Sequence, residues 1–489
     1  MTFLLYLLAA TGCLTCRQAP IGAQIHIRLT SAIGSYGSRT GAPIRAVVIA
    51  PVMVDGATVV PAGSIVAGRV KSVKRVGLGI MRETAALGLE FNTLILPDDR
   101  MLRISAQLAQ VDNGRERVGR DGVIHGVRST GSLCYRVSGY VRTALQWEVH
   151  ADVAVWFIKT LLVQLPEPEL YYPAGVEMTL SLMKPLVFEP PNGDEETTPE
   201  LTRVERVNLQ PLVEEMPYRS YAVRKRPSDL VNLLFIGSRK ELSTAFAAAG
   251  WVEPHPRSMR SRLAHIRAVG EGHGYRNAQM SALLVNEKPS DMSWEKGFND
   301  LSKRHHIRLW KQPEDWHGRE IWLGAATRDV DYAYFRSGQT FTHRVQQDID
   351  QERKKIENDL TFTSCVESVD YLERPGVPRS ARNSTGDPMT TDARLAVIRL
   401  NDCSAPRLST ESSDDLPLAA HGSKMQRFVR REIMSMRNDL IRTNTYYRAY
   451  EGVRWIIEAM VRKHRQHHPE PSAPQVLERA QKIEAKPAS

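Results

Sequence analysis

The chain reads as a multidomain α+β protein: a β-rich barrel- or sandwich-like domain first, then a mixed α/β domain with a helical tail. Three observations predict this. Short alternating runs punctuated by Gly and Pro fill residues 24–187, the pattern of a closed or layered antiparallel sheet. The apolar run Val231–Ile236 leads through Gly237 into a capped helix, as α/β units begin. A basic segment with apolar residues near helical spacing closes the chain. At 489 residues the chain exceeds one core and calls for two or three domains. Its apolar fraction of 42% suits globular cores and is too low for a polytopic membrane protein.

Residues 1–23 are expected to be an export segment. Phe3–Ala10 is apolar, too short to span a bilayer and right for a signal core. Ala10-Thr11-Gly12-Cys13 is similar to a lipoprotein processing box, with Cys13 the residue that would take the lipid. The leader has no Lys or Arg, so a buried element of the first domain stays open as the alternative. Export would place the protein in a bacterial cell envelope, on the periplasmic side. Cys13 and Cys16 match CxxC by letter but follow an apolar run, not a strand–helix redox unit. Of the other three cysteines, Cys365 and Cys403 are the pair to test as a disulfide.

In residues 24–187, Ile25, Ile27 and Leu29 share one face of the opening strand. Ala46–Ala50 follows, and Asp55-Gly56 predicts a type I′ hairpin turn. The tripeptide Pro61-Ala62-Gly63 precedes Ile65–Val70 and recurs as Pro173-Ala174-Gly175 before Met178–Leu182. The first and last strands are expected to be similar edges of one closed sheet. The nearly apolar run 151–165 predicts a buried or interfacial amphipathic helix. Residues 188–228 read as a linker that Pro211, Pro217 and Pro227 hold extended. The opening strand, Gly41–Val48, Val60–Gly68 and Val123–Gly126 together resemble the β-barrel of the TrbI-type channel component of type IV secretion systems. That resemblance implies an envelope-facing barrel.

The α/β domain is expected over 229–410. Ser238 and Glu241 have capping-box spacing, and Gly250 stops the helix. A second helix is predicted from Ser258, with Met259, Leu263 and Ile266 as its apolar stripe. Lys303–Trp310 and Ile321–Thr327 flank a ten-residue turn holding Pro313 and Gly318, and predict a β-hairpin with Trp310, Trp316 and Trp322 packed within it. Val366–Leu372 and Leu395–Leu400 are expected to pair across a long, mobile loop. Asn232–Glu241, Phe246–Trp251, Lys303–Trp310, Trp322–Ala326 and Thr342–Arg353, in that order, resemble the LssY-like C-terminal domain over about 225–365. The family is named for a type I secretion component, and the resemblance brings no catalytic residues. Where members carry a lipid-phosphatase-type membrane domain they show Pro-Ser-Gly-His, which this chain lacks.

His305, His306, His343, Asp348, Asp350 and Glu352 are metal-ligand types. Strand alternation sends His305 and His306 to opposite faces, so one at most joins a given site. The catalytic or metal-binding candidates are therefore His306, His343, Asp348 and Asp350. Against them, carboxylates that open a helix favour its dipole without any metal. Arg304, Arg308, Arg328 and Arg344 also offer charge-assisted hydrogen bonds, so a structural network is the simplest reading. No cofactor and no metal is expected.

Residues 411–489 form a basic tail. Phe428, Ile433, Met436, Leu440, Tyr447, Val453, Ile457 and Val461 give it an apolar stripe, and its end from His467 reads as disordered. His421–Ser489 holds twice as many Lys and Arg as Asp and Glu and supplies much of the net charge of +10. The tail either docks on the α/β domain or makes peripheral contact with an anionic membrane. No nucleic-acid motif is present, so no nucleic acid is expected as a partner. The function expected is binding or assembly in an envelope-associated, secretion-related protein, with other envelope or secretion components as partners. The alternative is a hydrolase, metal-dependent or acting on a phosphate ester, centred on His306, His343 and Asp348.

Overall fold

The computed structural model describes residues 17–78, 82–128, 167–188, 198–223, 225–256, 258–271, 273–275, 277–335, 340–407, 422–442 and parts of 445–460. The expected export segment with Cys13, the 151–165 run and the chain beyond 460 lie outside them. The chain divides into two compact units: residues 1–76 with 81–422, and residues 77–80 with 423–489.

The first unit contains a closed barrel of six strands. They are β1 (Gln24–Leu29), β2 (Pro43–Val48), β3 (Ile65–Lys74), β4 (Ala86–Ile95), β5 (Met101–Val111) and β6 (Glu177–Leu182). Consecutive strands pair antiparallel from β1 to β5, and β6 bridges β5 and β1. The first and last strands thus meet, as expected of a closed sheet. Ile25, Ile27 and Leu29 are buried in its core with Ala46, Val66, Phe91 and Leu180. A barrel needs local bends. One lies at Gly68, where the β3–β4 register shifts and any Cβ would overlap the Glu90 carbonyl. The Asp55-Gly56 turn forms between Val52–Val54 and Ala57–Val60, with both residues at positive φ.

The same unit contains a seven-stranded sheet. Its strands are β7 (Leu233–Ile236), β8 (Met292–Gly297), β9 (Arg304–Trp316), β10 (Arg319–Phe335), β11 (Thr340–Val345), β12 (Val366–Glu373) and β13 (Arg394–Leu400). The order is β8-β9-β10-β7-β13-β12, with β11 on the far half of β10, and only β7–β13 is parallel. The expected pairing of 366–372 with 395–400 is present. Both faces are covered, so β7 reads as a continuous apolar run rather than an alternation. Helix α1 (Arg203–Glu215) packs on the face of Leu234 and Ile236. Helices α2 (Arg239–Ala248) and α4 (Asp350–Phe362) pack on the face of Leu233 and Phe235. Between them in sequence lies α3 (Met259–Glu271). The Ser238–Glu241 capping box is formed in both directions.

Four local expectations are corrected. The 188–228 stretch is not extended throughout: Thr202 and Glu205 form a second capping box that starts α1, and Pro211 sits inside that helix. Leu209 and Val213 face its core, while Val207 is exposed. Of the stripe predicted for α3, Met259 and Leu263 are turned outward and exposed, while Ser261 and Ala268 are buried. The hairpin turn is two residues, not ten. His317 and Gly318, both at positive φ, close it, and Pro313 falls in a register shift between Lys311 and Asp315 that lets the strands run on to Trp316. The loop before Thr391 holds its own small hairpin, Ser380–Arg382 with Pro388–Thr390, anchored by buried Met389. Cys365 and Cys403 form a disulfide, with a Cα–Cα distance of 4.7 Å.

The second unit carries α5 (Lys424–Arg442). Met434 and Arg437 are buried on one side, and Arg437 Nε donates to the Leu78 carbonyl. Met425, Val429, Ile433 and Met436 are exposed. Among the described residues no helix is long and apolar enough to cross a membrane.

Candidate functional site

Two adjacent histidines on β9 set up two separate polar centres, because a strand sends neighbours to opposite faces. His305 faces α4 together with Ile307 and Leu309. Its Nδ1 lies 2.6 Å from Glu352 Oε2, and its Nε2 lies 2.9 Å from Asp112 Oδ2. Asp112 follows β5, so this contact crosses from the sheet to the barrel. Arg328 Nη2 donates to the other Asp112 oxygen at 2.6 Å. Burial alone would lower the His305 pKa, but the Glu352 and Asp112 carboxylates raise it to about 9. At neutral pH it is therefore an imidazolium that donates from both nitrogens. Asp112 is held below the usual carboxylate range by His305 and Arg328, against its own burial.

A second ionic cluster joins the same two sheets. Glu177 of β6 accepts from Arg28 Nη2 at 2.7 Å, Lys296 Nζ at 2.6 Å and Lys355 Nζ at 2.8 Å. Asp359 of α4 takes Lys296 at 2.9 Å and Trp251 Nε1 at 2.9 Å. Burial opposes ionisation of Glu177, yet Lys296, Lys355 and Arg28 hold it well below its ordinary value. The loop after Asp112 adds further hydrogen bonds. Lys303 Nζ donates to the Gly114 carbonyl at 2.7 Å, the Arg115 N–H to Asn299 Oδ1 at 2.9 Å, and Asn299 Nδ2 to Glu116 at 2.8 Å.

On the other face, His306 Nε2 pairs with Thr327 Oγ1 at 2.7 Å. Its Nδ1 is 3.7 Å from Asp329 Oδ2 and has no hydrogen-bond partner among the described residues. His343 Nδ1 reaches the same Asp329 oxygen at 2.9 Å, and Arg304 Nε reaches it at 3.1 Å. Arg304 Nη1 also donates to Glu295 at 2.9 Å. Burial pushes His306 down to about 3 and Glu295 up to about 8. His306 is thus neutral and buried at pH 7, and Asp329 is the ionised hub.

Of the four candidates, His306 and His343 are brought together on Asp329. Asp348 and Asp350 have other partners. Asp348 Oδ1 accepts the Asp350 N–H at 3.1 Å, opening α4, and Asp350 accepts from Thr391 Oγ1 at 2.8 Å and the Asp392 N–H at 2.6 Å. Among the described residues no group of three or more His, Cys, Asp or Glu side chains is placed to hold a metal ion. Sequence reasoning missed Asp329, Glu295, Asp112 and Glu177. None of the four had a local signal, since the pairing of Asp329 with Arg304 depends on the hairpin register.

The comparisons with known proteins come down on the second sheet. Residues 213–395 match the family described as LssY C-terminus. That span holds His305, His306, Asp329, His343 and Glu352. Asp112, Glu177 and Arg28, which complete the ionic contacts, come from outside it. No curated protein matches the chain. Among solved structures the chain is similar to one titled "Structure of ComB10 of the Com Type IV secretion system of Helicobacter pylori", at 12% identity. The match covers 36% of this chain and 93% of that one, with a TM-score of 0.21.

Proposed function

We propose that the protein is an envelope-associated, non-enzymatic component that works by binding or assembly, with the barrel and the LssY-type sheet acting as one body. The observation that carries this is the use made of the titratable side chains. His305, Asp112, Glu352, Glu177, Lys296, Lys355 and Asp359 are spent on one another across the barrel–sheet contact. Buried charges paired in this way are costly to separate. The Cys365–Cys403 disulfide supports an oxidising compartment, because such bonds persist outside the reducing cytosol. The α5 helix supports peripheral contact with an anionic membrane, since its exposed apolar side is flanked by Arg427, Arg430 and Arg431. The hydrolase alternative draws no support from Asp348, which bonds within its own turn. Cell fractionation of the native host tests the proposal. The protein should sediment with the envelope and take up two further equivalents of a thiol label after reduction. Recovery in the cytosolic supernatant with both thiols free would refute it.

A further inference from the structure

The rim of the barrel holds a concavity of about 620 Å³ lined by Ser38, Arg39, Thr40, Lys74, Arg75 and Arg82. All of its charged lining residues are cations. Arg39, Arg75 and Arg82 are exposed and make no ion pair with a carboxylate among the described residues. Arg75 instead lies over the Tyr36 ring, 6.0 Å from its centroid. Elsewhere in the first unit Arg28, Arg304, Arg308, Arg319, Arg328 and Arg353 each meet a carboxylate. Ser38 Oγ accepts the Gly34 N–H at 3.0 Å, which leaves its hydroxyl proton to donate outward.

Like charges gathered on one concave surface repel, and a cleft focuses their field. An anion that several guanidinium forks can grip relieves the repulsion, and phosphate fits those forks in both charge and planar donor geometry. We infer that this cleft binds a phosphate-bearing ligand, with Arg39, Arg75 and Arg82 as the gripping cations and Ser38 and Thr40 as hydroxyl donors. A free phosphate ester and a phospholipid headgroup share that chemistry. The site lies outside the LssY-type span and is independent of the proposed assembly role.

The test uses the full chain, the double variant R39E/R82E, and R203E/K240E as a control with the same charge change on helices of the other sheet. Calorimetry with inorganic phosphate reads the free source. Co-sedimentation with phosphatidylglycerol against phosphatidylcholine vesicles reads the headgroup. All three proteins should melt at similar temperatures. R39E/R82E should bind at least tenfold more weakly than wild type in one or both arms, while the control keeps its affinity. Loss in calorimetry alone assigns a free phosphate ester, and loss with vesicles assigns a headgroup. Equal binding by wild type and R39E/R82E, equal loss in the control, or no binding by wild type in either arm overturns the inference.

Discussion

His305 and His306 are neighbours in the chain, one charged and one neutral at pH 7, and their pH dependences oppose each other. The His305 pKa rises from 6.5 to about 9 on folding. Its contribution to stability is therefore full below about pH 6.5 and disappears as pH rises through 9. The His306 pKa falls from 6.5 to about 3. Its contribution is full above about pH 6.5 and is lost as pH falls toward 3. Replacing His305 by Asn leaves the buried Glu352 without its charged partner and Asp112 with Arg328 alone, at a cost of about 3–5 kcal/mol. Denaturant unfolding of H305N should show that loss at pH 6, and a weaker decline of stability between pH 6.5 and 9 than wild type. A wild-type-like decline in H305N would assign the titration to another group.

At the scale of elements, the β9–β10 hairpin shows what a sequence reveals and what it hides. Reading a ten-residue turn places Trp310 opposite Ile321, whereas the structure pairs Trp310 with Leu323. The error is two residues, a whole strand period, so every side chain stays on its correct face. That is why the split of His305 from His306 was legible. Cross-strand partners do not survive such a slip, so Arg304–Asp329 and His306–Thr327 were hidden. The actual two-residue turn needs positive φ at His317 and Gly318. Gly318→Ala should cost about 1–2 kcal/mol, seen as a lowered denaturation midpoint. Helix boundaries were legible where a cap is local, as at Ser238, and α1 was overlooked because its prolines outweighed Thr202 and Glu205. The outward stripe of α3 was illegible, since Met259 and Leu263 carry a core-like spacing with no core beneath them. In α5, Phe428→Glu with Ile433→Glu should abolish co-sedimentation with anionic vesicles. Undiminished sedimentation would contradict its proposed membrane role.

At the scale of the molecule, the barrel and the seven-stranded sheet meet through residues far apart in sequence, such as Asp112 with His305 and Glu177 with Lys296. Nothing local encodes such pairs, so the fold class was readable and the candidate centre only half so. Cys365–Cys403 closes a 38-residue separation around β12 and β13. In a loop-entropy model its removal costs about 4 kcal/mol, so Cys403→Ser should unfold earlier in denaturant than the oxidised wild type. The decisive measurement is differential scanning calorimetry of the wild type beside the double variant D112A/E177A, which removes the two barrel carboxylates that meet His305 and Lys296. The wild-type barrel and sheet should melt in one cooperative transition that splits or broadens in the variant. Two separate transitions in the wild type, unchanged in the variant, would contradict a single ionically locked body.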